Sequence, residues 1–326
     1  RIMKNIEEKL KGVEIYQDIL INGSVYKKGL RNCKDRYAYI KSLITIKNRP
    51  FTILDIGANF GYYSLKIAED FPNAYVTMIQ HSREAIVLRE ILKANTNVNK
   101  RMCLLAFTMN KSIMNLLSQC EHFDYILCNN VLHHMPDYKY VYKYLKKACK
   151  YLIIETPPVN DTKSCGQNRL EDLYTTINKE CKTKSTVKFQ RHTNKSTYSH
   201  IYFFEFESTV YKKRGYFNSP KPPETDELKH IIYDNKRQFY KKSENSTADY
   251  IYGINLFTFI SLKGIYPLKS DIIKKFSNIK SEYKFNNTIR DITPWNFILN
   301  DNLYLIDVKN RIDGQSQVYN DKYQIN

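Results

Sequence analysis

Four short runs of this sequence hold residue types whose spacing can do chemistry. In FTILDIGANFGYYSLKIAED an apolar stretch ends at Asp55 and turns through Gly57, Asn59 and Gly61 before an amphipathic run begins. A backbone passing close to a bulky ligand cannot carry side chains there, which suits Gly57 and Gly61. Asparagine enters the left-handed region more easily than most residues, which suits Asn59. The run HFDYILCNNVLHHMPD places Asn129 at the end of another apolar stretch and follows it with the adjacent His133 and His134. Imidazoles titrate near neutral pH and can take a proton from a hydroxyl. Upstream, NGSVYKKGLRNCKDRYAYIKSL sets Arg31, Arg36 and Tyr37 ahead of the first apolar stretch, and a forked guanidinium matches a carboxylate. Near the far end, RDITPWNFILNDNLYLIDVKN spaces Asp291, Asn296 and Asp307 as acid, amide and acid. Each run also has a plainer structural reading: a tight strand-to-helix turn, a helix start, a solvated helix face and a coincidental spacing.

Positioning these residues calls for strands whose ends lie side by side. Short apolar runs at 52–56, 74–80, 102–107, 123–128 and 151–155 alternate with helical periodicity at 62–70, 83–94, 112–118 and 138–149. That alternation predicts an α/β fold with a mostly parallel sheet. A helix at 170–181 and two successive strands at 186–191 and 200–206 then close the sheet with an antiparallel hairpin. Three prolines in NSPKPPET, residues 218–225, mark a boundary. Beyond it, helices are expected at 228–240, 248–263 and 269–279, with short strands at 297–299 and 303–306. The chain divides accordingly into residues 1–50, a helical lid, residues 51–217, an α/β domain, and residues 218–326, a smaller and mainly helical domain.

Composition narrows the classes. At 42% hydrophobic and 13% aromatic the chain has enough apolar surface to form a core without external staples. No apolar run approaches the roughly 18 residues of a membrane span, and RIMKNIEEKL lacks the apolar centre of a signal peptide, so a soluble, intracellular chain is expected. Seven cysteines, odd in number and without a CxxC pair, read as reduced core thiols, with no metal site. The net charge of +18 admits an anionic partner such as nucleic acid, yet lysine is spread along the whole chain. Nothing in the pattern sets an oligomeric state.

The run from Asp55 to Gly61 resembles the first motif of class I S-adenosylmethionine-dependent methyltransferases, an acid followed by alternating glycines, with Asn59 in place of the middle glycine. It differs from the GxGxxG of nicotinamide-binding Rossmann folds. The resemblance implies a Rossmann-like sheet with an antiparallel last strand and S-adenosylmethionine as cofactor. It implies that Asp55, Gly57, Asn59, Gly61 and Asn129 line the cofactor site and that Arg36 pairs with the methionine carboxylate. Gln80 stands where the family carries an acid on the ribose; an amide can still accept one hydrogen bond there and donate another. His133 or His134 would remove the acceptor's proton.

The spacing of Asp291, Asn296 and Asp307 resembles the catalytic loop and metal-binding acid of kinases. Too few residues precede it for a complete amino-terminal lobe, and no glycine-rich phosphate loop is visible. The two motifs together resemble bifunctional methyltransferase-kinases that act on surface polysaccharides. That resemblance implies a glycan or small-molecule hydroxyl as acceptor. A nucleic-acid methyltransferase is the alternative, favoured by charge, but the strand ending at Asn129 lacks the Asn/Asp-Pro-Pro-aromatic pattern for an exocyclic amine, and no proline precedes Cys128. A binding module without turnover is the third reading, resting on Asn59 and Gln80.

Overall fold

The computed structural model describes residues 2–159, 166–180, 187–191 and 197–206, and beyond these only short pieces between residues 231 and 317. In chain order the elements are α1 (Ile2–Leu10), β1 (Ile19–Ile21), β2 (Ser24–Lys27), α2 (Cys33–Leu43), β3 (Phe51–Ile56), α3 (Tyr62–Asp70), β4 (Ala74–Ile79) and α4 (Ser82–Ala94). They continue with β5 (Met102–Leu105), α5 (Lys111–Cys120), β6 (Phe123–Asn129), α6 (Tyr138–Ala148), β7 (Cys149–Thr156), α7 (Leu170–Glu180), β8 (Val187–Gln190) and β9 (Tyr198–Glu205).

The central sheet runs β5, β4, β3, β6, β7, β9, β8, with the two-residue strand Gly264–Ile265 added outside β5. The joints from β5 to β7 are parallel, whereas β9, β8 and Gly264–Ile265 are antiparallel. Every residue of β3 and β6 is buried, which is why these strands read as continuous apolar runs instead of alternating ones. Asp124, buried near the start of β6, fastens the two strands by accepting the Thr52 N–H and the Arg49 guanidinium, both at 2.8 Å. Leu54, Ile56, Ile126, Cys128, Leu152 and Ile154 face one apolar layer, covered by α5, α6 and α7. Ile53, Val76, Met78, Leu104, Leu127 and Ile153 face the other, covered by α1 to α4. Burial raises the thiols of Cys33, Cys103, Cys128 and Cys149, so these free cysteines stay protonated and serve as core residues.

The amino-terminal segment joins this core. Ile6 and Leu10 of α1 and Tyr37 and Ile40 of α2 lie in the same layer as the sheet, and the Asn95 amide ties the β1–β2 hairpin to the end of α4 through Asn22 N and Leu20 O. Downstream, two expected helices are corrected. Within 228–240, Ile231–Tyr233 and Gln238–Tyr240 are strands that pair antiparallel. The apolar residues that mimic helical spacing flank the polar stretch DNKR, a turn signal. Within 248–263, Gly253 at φ +147 is followed by the strand Ile254–Asn255, and among the described residues the helix covers Leu256–Ser261. Ile254, Leu256, Phe259 and Leu299 are buried in the first apolar layer. Strands Phe297–Leu299 and Leu303–Leu305 pair antiparallel. Most of 269–279 lies outside the described residues. No helix among the described residues is long and apolar enough to cross a membrane.

Candidate active site

Strand order reverses at β3, whose chain neighbour β4 lies on one side and β6 on the other. Such a switch point leaves a crevice at the carboxyl ends of the strands. A cavity of about 750 Å³ opens there, a size suited to a small organic ligand. Its walls come from the loop after β3, the ends of β4 and β6, the residues after β5, and three residues of the amino-terminal segment.

The loop after β3 is held by the end of β4. Ile79 O accepts the N–H groups of Gly57 and Ala58, at 2.9 and 3.1 Å. Gly57, Asn59 and Gly61 all take positive φ, at +72°, +54° and +79°. Gly57 also needs its missing side chain, because a Cβ there would overlap the Val131 Cγ2 methyl. Gly57 and Asn59 line the cavity; Asp55 and Gly61 do not. Asp55 lies behind the loop, where burial pushes its carboxyl up to about 6 against the opposing Ser64 hydroxyl, which donates to it at 2.7 Å. Gly61 starts α3. These two residues shape the loop rather than the cavity surface.

Gln80 lines the cavity, but its amide is turned into the loop, accepting the Asn59 N–H at 2.8 Å and donating to His81 O at 3.2 Å. Asn129 ends β6 at the wall with both amide atoms buried and unpartnered. Asn59 Oδ1, Asn130 Oδ1, Arg31 Nε and His133 Nδ1 are buried at the same wall, also without a hydrogen-bond partner. Buried polar groups in folded proteins are almost always bonded, so a wall with this many free donors and acceptors is built for a polar ligand. Ile79, Phe107 and Met109 add apolar lining.

Arg36 is the main correction. Its Nε donates to Glu155 Oε1 at 2.9 Å, one terminal nitrogen to Asn32 O at 2.8 Å, and the other to Gln190 O at 2.9 Å. The fork is used inside the protein, and α2 is packed down on α3 through the Tyr37 hydroxyl, which donates to Lys66 O and Asp70. Of the two amino-terminal arginines, the one that reaches the cavity is Arg31, together with Tyr16 and Gln17; Arg191, just after β8, lines it as well. The covering part of the amino-terminal segment is therefore the chain on either side of the β1–β2 hairpin. Gln17 is anchored by accepting the Tyr62 N–H at the start of α3. Sequence reasoning also missed Glu155, at the end of β7, which binds both arginines; an acid at a strand's carboxyl end was the available signal.

His133 and His134 also line the cavity, their ring centroids 4.0 Å apart. His133 is buried, and burial, with lesser contributions from His134, Arg191 and Arg169, lowers its imidazole to about 3. His134 is exposed at the opening, and burial of its ring followed by Arg169 and Arg191 keeps it below the ordinary value. Both rings are neutral at physiological pH. Asp291, Asn296 and Asp307 lie outside the described residues.

Residues 54–151 match a family model described as a methyltransferase domain. No curated protein matches the chain at a significant level. Among solved structures, the bifunctional kinase-methyltransferase WbdD is 14% identical with a TM-score of 0.50, over 96% of this chain and 81% of that one. An O-methyltransferase from Bacillus cereus in complex with SAH is 16% identical with a TM-score of 0.44, over 62% of this chain and 91% of that one. At such identities the first likeness is one of fold. The family match begins inside β3 and ends inside β7, spanning the strands whose carboxyl ends build the cavity, and this part of the chain is thus similar to a methyltransferase domain.

Proposed function

We propose that this domain O-methylates a hydroxyl of a sugar, glycan or related small molecule, with His134 as the base. The observation that carries the reading is a neutral, exposed imidazole at the cavity opening, beside the asparagines that end β6. When bound, S-adenosylmethionine supplies a methyl group on a positively charged sulfur. Transfer to a hydroxyl releases a proton, and its acceptor must be unprotonated and within reach of the opening. His134 meets both conditions. His133 meets only the first, being buried and too weak a base at about 3, and it serves to hold the His134 ring in place.

On this reading Arg31 takes the cofactor's carboxylate, in place of Arg36, and the free amides of Asn129 and Asn59 take its other polar groups. Gln80 shapes the ribose side by fixing Asn59, and Ile79, Phe107 and Met109 receive the adenine ring. Incubation with methyl-labelled cofactor and separate pools of glycans, small sugars and RNA tests the acceptor class; label confined to RNA overturns the proposal. His134→Ala should lower kcat about 100-fold, and His133→Ala much less. Because the His134 ring titrates below its ordinary value, the acid limb of the kcat profile should fall below pH 6.5.

We infer that residues 218–326 are a kinase-like carboxyl lobe without a phosphate-covering partner, and that they transfer no phosphate. Phosphoryl transfer depends on backbone amides and a lysine laid over the phosphates, and the sequence shows no such loop. The support is the spacing of Asp291, Asn296 and Asp307, together with a fold likeness to the bifunctional WbdD that extends over nearly the whole chain. With labelled ATP, magnesium and the same acceptor pools, no phosphate transfer is expected. Transfer that disappears in Asp291→Ala would reverse the inference.

A further inference from the structure

Glu155 sits 1% exposed at the end of β7 and belongs to no motif. Each of its carboxylate oxygens holds an arginine. Oε2 accepts from Arg31, and Oε1 accepts from Arg36 Nε at 2.9 Å and from the Ser199 hydroxyl at 2.6 Å. Burial pushes this carboxyl up, but the two guanidinium groups and the Ser199 hydroxyl outweigh it and hold it at about 2, so it is ionised at any working pH. Its backbone carbonyl accepts the Asn130 N–H at 2.7 Å, at the left-handed turn that follows Asn129.

The charges around Glu155 do not balance. Arg31 is 2% exposed and Arg36 3%, so two buried cations share one buried anion. A buried charge without a counter-charge is costly, and a buried cluster with one in excess is suited to a ligand of opposite sign. Arg36 is committed on all sides within the protein. Arg31 is not: it lines the cavity, its Nε is free, and its guanidinium is otherwise held by the Tyr16 hydroxyl at 3.2 Å and by the faces of Tyr16 and Tyr63. The excess charge therefore lies at the cavity wall, on a side chain whose aim Glu155 sets.

We propose that Glu155 is the positioning residue for the cofactor's carboxylate, orienting Arg31 by a direct ion pair. Arg36 and Ser199 hold Glu155 in turn, so Arg36 contributes to the site at one remove, by denying the carboxylate of Glu155 any other orientation. The inference rests on the reading that Arg31 meets the cofactor's carboxylate.

Binding of two ligands separates positioning from a general structural role. S-adenosylhomocysteine carries the amino-acid carboxylate, whereas 5′-methylthioadenosine keeps the adenosine and sulfur without it. Calorimetry on the full chain should show that Glu155→Asp, too short to span both arginines, weakens S-adenosylhomocysteine about tenfold while 5′-methylthioadenosine stays within about twofold. Equal weakening of both ligands, or of neither, overturns the proposal. Arg31→Lys serves as the reference: if it leaves the ratio of the two affinities unchanged, the fault lies in the reading of Arg31. If it lowers the ratio and Glu155→Asp does not, only the role of Glu155 fails. Should Glu155→Asp not fold, Ser199→Ala removes one tether of Glu155 without touching the cavity wall. It should shift the ratio in the same direction by about two- to threefold, and an unchanged ratio there also overturns the proposal.

Discussion

Asp55 illustrates how a residue can support the loop at a cavity without facing the cavity. Its carboxyl is raised to about 6 by burial, so the folded chain binds a proton there that the unfolded chain has already released above the ordinary value of 3.8. A raised carboxyl stabilises the fold fully below the unfolded value and loses that contribution as pH rises through the folded one. Urea melts of the ligand-free protein should therefore show Asp55→Asn gaining stability relative to the parent between pH 4 and pH 6.5. A difference that does not change with pH would mean the carboxyl is not desolvated. The residues of the loop were legible because each answers a local demand: Gly57, Asn59 and Gly61 carry positive φ within one turn of chain. Arg31 and Glu155 were not legible as a pair, because 124 residues separate them and nothing local links a guanidinium before β3 to the end of β7. Arg36 satisfies the same chemical criterion as Arg31, and only packing shows which fork is already full.

At the scale of elements, the sheet could be read almost strand by strand. β3, β5 and β6 are buried along their whole length and β4 and β7 over most of it, so they announce themselves as apolar runs, and α3 begins and ends where helical periodicity places it. Reading failed where short elements depend on distant partners. Ile231–Tyr233 and Gln238–Tyr240 carry apolar residues that satisfy either period, and Gly264–Ile265 has no identity as a strand apart from its pairing with Leu105 and Leu104. The turn between β3 and α3 yields the sharpest test at this scale. Gly57→Ala adds a methyl in the left-handed region and drives it into Val131. Affinity for S-adenosylhomocysteine should fall at least about tenfold. Adding Val131→Ala should restore part of the loss by making room; a double variant no better than the single would show that backbone strain alone matters.

For the whole molecule, the question is whether residues 218–326 are an appendage. Ile254, Leu256, Phe259 and Leu299 are almost fully buried in the layer that covers the sheet. Four such side chains returned to water amount to on the order of 5 kcal/mol or more. A chain ending at residue 217 should therefore melt more than about 10 °C below the full chain. Equal melting temperatures would mean that the burial contributes nothing to the fold.

The strand Gly264–Ile265 has a second effect, on behaviour between molecules. It lies along β5, which would otherwise be the outer edge of the sheet, with its backbone N–H and C=O groups open to pairing. Uncovered edges template association with any other exposed strand, including the same strand in a second copy. Two residues thus act as a guard on solubility: a shortened chain that still folds should self-associate through β5 as its concentration rises.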